Sequence, residues 1–211
     1  MQLEMNATRW LLLCGAAAPP VVGLFIIVAS LVTPGYSQLS DTISQLGAWG
    51  RPHPWVMNAG FIVYAMLIIG FAYGLYRRLG RGTGAKAIWF LLAVYCVGII
   101  LVAIFQDDLK TPNEVSTLEG TLHSVFAQIA FFAMVIGMMI FARVVYRDPA
   151  WRGFTQFTIA VVVLNLVISM PFIFEVSRSI EGALQRSFMG ISLVWLEAVS
   201  LRALMLPTPD R

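Results

Sequence analysis

From position 10 to position 32 the chain runs for more than twenty residues without one charged side chain. Helical segments of about 20 predominantly apolar residues cross a hydrocarbon core of about 30 Å. Runs of that length recur at 55–76, 85–105, 121–145, 153–174 and 187–206, and little chain is left between them. Inside a bilayer each backbone N–H and C=O needs a partner within the chain, which leaves helices or closed barrels. The runs are unbroken and too long for barrel strands, whose pattern alternates over about 10 residues. The expected fold is therefore all-α: a compact bundle of six transmembrane helices in a single integral membrane domain, residues 1–211. Composition agrees, with 59% hydrophobic and 12% charged residues, against roughly 25% charged in soluble domains.

The net charge of +3 does not mark a nucleic-acid partner, because the basic residues are sorted by side. Arg9, Arg77, Arg78, Arg81, Lys86, Arg143, Arg147, Arg152, Arg202 and Arg211 fall at one face of the predicted bundle; Arg51, Lys110, Arg178 and Arg186 fall at the other. The positive-inside rule then puts both termini in the cytoplasm and the 33–53 loop outside, in a cell membrane. Arg9 and the "WLLLCGAAA" that follows resemble a signal sequence, but the apolar run continues to Val32, so an uncleaved first span is expected. Cys14 and Cys96 lie within spans and suggest neither a disulfide nor a metal site. No cofactor or metal is expected.

The loop "SQLSDTISQLGAWGRPHPW" is the polar exception. Leu39, Ile43 and Leu46 are spaced by four and three, with Ser40, Asp41 and Ser44 filling the other side, which predicts a short amphipathic lid helix. Pro19 and Pro20 fall in the first span, where a kink is expected.

Ionisable groups inside hydrocarbon cost about 2.5–3.5 kcal/mol on insertion scales and default to functional hypotheses. Glu197 and Asn165 reach similar depths in spans six and five and suggest a hydrogen-bonded pair, or a proton-coupled transport site. A denser set gathers at the lid end: His53, Asn58, Asp107, His123, Arg178 and Arg186. An Asp107–His123 contact, a serine–histidine–aspartate arrangement using Ser40 or Ser44, and phosphate binding by Arg178 and Arg186 are all open from spacing alone. The expected ligand is a lipid headgroup or small amphiphile, with hydrolysis or group transfer open. A non-catalytic assembly role, with the polar groups only locking the bundle, is the third reading. Oligomeric state is not legible.

"LSDTISQLGAWGRPHPWVMNAG", "FQDD", "GTLHSVFAQIAF" and "LQRSFMGISLVWLEAV" together resemble a six-span prokaryotic membrane family, domain of unknown function nine-nine-eight. At greater distance the layout is similar to the eukaryotic group containing Frag-one and the damage-regulated autophagy modulators. The resemblance implies that Ser40, Asp41, Ser44, Asp107, His123 and Arg186 are the positions to carry over; it implies no agreed activity.

Overall fold

The computed structural model describes residues 2–109, 116–174 and 178–207, apart from the side chains of residues 2–6 and of Arg178. Its long helices are α1 (Gln2–Leu31), α2 (Pro54–Arg78), α3 (Thr83–Ile104), α4 (Leu118–Val145), α5 (Phe154–Ile173) and α6 (Glu181–Met205). All six are long and apolar enough to cross a membrane, and the described residues contain no strand. The chain is a multi-pass, all-α integral membrane protein.

Local chemistry sets the helix ends. Pro54 opens α2, where its missing N–H costs no helical bond, and Arg77 and Arg78 close it against the negative end of the helix dipole. Thr117 caps α4 by accepting from the Gly120 N–H at 3.0 Å. α1 runs without a break through Pro19 and Pro20. It starts eight residues before the apolar run, and α6 starts six residues early. Helical hydrogen bonding need not stop where hydrocarbon does.

Each helix packs on the next in sequence, and α6 returns to α1, so the six form a ring. The two ends of the ring differ. At the basic end the interior is sealed by aromatic rings: Phe141 lies 5.2 Å from Trp151 and 5.4 Å from Trp195, both edge-on. The Trp195 indole N–H donates to Thr158 at 2.9 Å, so this buried donor is satisfied. Arg78 donates to the carbonyls of Leu206 (2.9 Å) and Pro207 (2.8 Å), beyond the last turn of α6. Arg202 donates to Ala150 O at 2.8 Å, tying α6 to the turn before α5.

At the lid end the 32–53 segment folds into the ring. The predicted amphipathic helix is reduced to one 3-10 turn, Ser44–Gly47; its Leu46 and the preceding Ile43 pack against the bundle, and residues 42–48 are buried. The reason is that the loop carbonyls are claimed by side chains from elsewhere, which leaves no run of backbone bonds for a longer helix.

Candidate functional site

The lid is held by three latches. Arg186 on α6 donates to Gln38 O (2.8 Å) and Asp41 O (2.9 Å) and also bonds the Tyr36 hydroxyl. Arg51 pairs with the Asp41 carboxylate at 3.1 Å and donates to Gln45 O at 3.2 Å. Asn58 on α2 donates to Gly47 O at 3.2 Å. Burial lifts the Tyr36 phenol above its usual pKa despite the nearby Arg186, which keeps it a neutral donor to Thr42 O at 3.0 Å. Two glycines permit the close approach. A Cβ at Gly47 would meet the Asn58 amide, and one at Gly182 would meet the Asp41 carbonyl. The first turn of α6 uses the lid as a cap: the Ala183 N–H donates to Leu39 O at 3.0 Å.

Beneath the lid is a cavity of about 250 Å³. Its lid end is polar, with Thr42, Ser44, Asp107, His123 and Gln185. Its walls are apolar, with Phe61, Ile99, Phe131, Phe172, Phe188 and Met189. Tyr64 and Tyr95 lie deeper. Phe132 also lines it, yet belongs to the exposed stripe Val125–Ile129–Phe132–Ile136–Met139 on α4. Ile173 on α5 both lines the cavity and is exposed. The wall between α4 and α5 is therefore thin, one side chain deep at Phe132 and Ile173.

His123, 4% exposed, is the centre of the polar end. Its Nδ1 lies 2.8 Å from Phe105 O and 3.1 Å from Val102 O, carbonyls at the end of α3 that have no helical donor left to accept from. Both partners are acceptors, so Nδ1 carries the proton. In the neutral ring Nε2 is then a bare acceptor. Nε2 has no hydrogen-bond partner among the described residues, and Asp107 Oδ2 is 4.0 Å away. The neighbouring carboxylate, Asp108, is spent on the loop: it accepts from the Thr117 N–H and hydroxyl, both at 2.8 Å. Nε2 can therefore accept a hydrogen bond from a bound group, with the Asp107 carboxylate 4.0 Å away as a second acceptor.

Of the residues singled out in the sequence, Ser44, Asp107 and His123 do line one cavity. They do not form a serine–histidine–aspartate relay. That relay needs the carboxylate on Nδ1 and the serine on Nε2. Here backbone carbonyls hold Nδ1, Asp107 stands on the Nε2 side, and Ser44 instead accepts from Gln185 Nε2 at 3.3 Å. Ser40 bonds Asp41 at 3.3 Å, and Asp41, Asn58 and Arg186 serve the lid. Arg186 does not line the cavity, which removes it from phosphate binding there. His53 is exposed at the start of α2 and also lies outside the cavity lining. The Arg178 side chain, with Lys110, Glu175 and Arg211, lies outside the described residues.

The expected Glu197–Asn165 pair is not formed. Asn165 accepts from the Ser192 hydroxyl at 3.0 Å and donates to Val161 O at 3.0 Å. Glu197 is five residues beyond Ser192, about 140° round the helix at 3.6 residues per turn, and is exposed on the outer face of α6.

Sequence reading missed Gln185 and the tyrosine pair. Gln185 Oε1 accepts from the Ile43 N–H at 2.5 Å while its amide serves Ser44, so it pins the lid over the cavity. The available signal for the tyrosines was their position deep within spans two and three, away from the interfaces that Tyr prefers.

Among the described residues no group of three or more His, Cys, Asp or Glu is placed to hold a metal ion. A family described as protein of unknown function (DUF998) matches residues 16–202. No curated protein and no solved structure matches the chain.

Proposed function

The chain belongs to the DUF998 family of proteins of unknown function, and from the chemistry of its cavity we propose that it binds the head of a small amphiphile or membrane lipid. The observation that carries this is the unpartnered Nε2 of His123, buried at the polar end of a cavity whose walls are aromatic and aliphatic. A buried acceptor left without a donor costs about 1–3 kcal/mol, and a ligand donor removes that cost. Ligand pockets are typically 300–1,000 Å³. At about 250 Å³ this one suits a small head, with the tail leaving between α4 and α5.

Charge narrows the class. Among the described lining residues there is no Lys or Arg, and the carboxylate is Asp107. A phosphate or carboxylate head would be repelled there. A hydroxyl-bearing or ammonium head gives donors to both Nε2 and Asp107. The basic residues gathered at the opposite end favour a cell-membrane orientation with the lid outward, which would draw the ligand from the outer leaflet.

The test uses purified protein in phosphatidylcholine nanodiscs, with radiolabelled octyl glucoside read by scintillation proximity. His123→Asn keeps a donor where Nδ1 stands and removes the Nε2 acceptor. It should weaken binding about tenfold, the equivalent of about 1.4 kcal/mol, in a protein that stays folded. Octyl phosphate should not displace the label. Unchanged affinity in the variant, or equal displacement by octyl phosphate, would overturn the reading.

A further inference from the structure

The deep part of the cavity holds a second unsatisfied group, of opposite sense to the first. Tyr95 donates its hydroxyl to Tyr64 at 3.0 Å, and both phenols line the cavity. Two phenols carry two O–H protons, and a mutual bond uses one of them. Whichever ring donates, one O–H remains, and no described acceptor takes it. Tyr64 is only 1% exposed, so bulk water does not serve it.

The nearby serines do not take it: Ser192 is bonded to Asn165 Oδ1 and Phe188 O and Ser169 to Leu166 O, and among the described residues neither is hydrogen-bonded to a phenol. One turn away on the same helix faces stand Phe61 and Ile99. The site asks for an acceptor delivered on an otherwise apolar ligand.

Its depth is set by α3. The Val102 carbonyl touches the His123 ring, and Tyr95 is seven residues nearer the basic end, about 10 Å at 1.5 Å per residue. The cavity thus offers an acceptor at the lid end and a donor about two helical turns further in. Ester lipids with uncharged polyol heads carry that pattern reversed: hydroxyl donors in the head, then a carbonyl acceptor where the acyl chain begins. Resting on the head-binding reading above, we infer that the ligand is an ester-linked lipid with a hydroxyl-rich, uncharged head. Its hydroxyls meet His123 Nε2 and Asp107, and its ester carbonyl accepts the spare proton of the Tyr64–Tyr95 pair.

Two probes differing only in that carbonyl test this: 6-O-octanoylglucose, an ester, and 6-O-octylglucose, its ether. Wild-type protein in nanodiscs should bind the ester about 5–10-fold more tightly, as expected for one buried hydrogen bond. A single Tyr→Phe change would free the partner phenol to donate, so the informative variant is Tyr64→Phe with Tyr95→Phe. It should lose the preference for the ester while its ether affinity stays within about twofold. Equal affinities in the wild type would overturn the inference and leave head binding standing, since the ether still binds. A preference that survives in the double variant would also overturn it. Failure of both probes to bind would sink the head-binding reading and this inference together. If the double variant does not fold, the wild-type comparison alone decides.

Discussion

His123 does two jobs with its two nitrogens. One caps the end of α3, which is why the ring is buried and its tautomer fixed; the other is left facing the cavity. The letters alone gave His123 and Asp107 as a pair, because a histidine opening one span and an acid closing the one before it must come close in a bundle. They could not give the tautomer, which depends on which carbonyls the fold brings to Nδ1. At Gly182 the constraint is steric: a Cβ would run into the Asp41 carbonyl and Arg186. Gly182→Ala should cost about 1–3 kcal/mol, as overpacking does. Hydrogen exchange should quicken through residues 36–48 and the melting temperature should fall. Unchanged exchange there would mean the lid is not clamped at this point.

The spans were legible as elements because hydrocarbon permits so few structures, and their limits fell close to the observed helices except at the starts of α1 and α6. The lid was not. Its four-and-three spacing fits an amphipathic helix, yet Arg51, Asn58 and Arg186 take up its carbonyls and leave a single 3-10 turn. Local periodicity lost to side-chain hydrogen bonds from outside the turn, those of Arg186 coming from the last helix of the bundle. The Glu197–Asn165 pairing failed for a related reason: matching depth does not ensure matching face. The loops also carry the orientation. Leu39 in the lid and Gly82 between α2 and α3 are both exposed. In intact cells, Leu39→Cys should react with a membrane-impermeant maleimide and Gly82→Cys should not. The reverse pattern would turn the bundle over and bring the ligand from the cytoplasmic leaflet.

At the scale of the molecule, a ring of six helices is plugged by Phe141, Trp151 and Trp195 at its basic end and hollow beneath the lid. That asymmetry makes the interior a cup, closed at its basic end. A cup suits a protein that holds an amphiphile by its head. The chain has only two histidines, and His53 lies outside the cavity lining, so nitrogen magnetic resonance of ¹⁵N-histidine-labelled protein reads the site almost alone. On saturation with 6-O-octanoylglucose, the His123 Nε2 resonance should move from a free to a hydrogen-bonded position, with Nδ1 still protonated and His53 unmoved. Saturable binding with both His123 resonances unmoved would contradict the account.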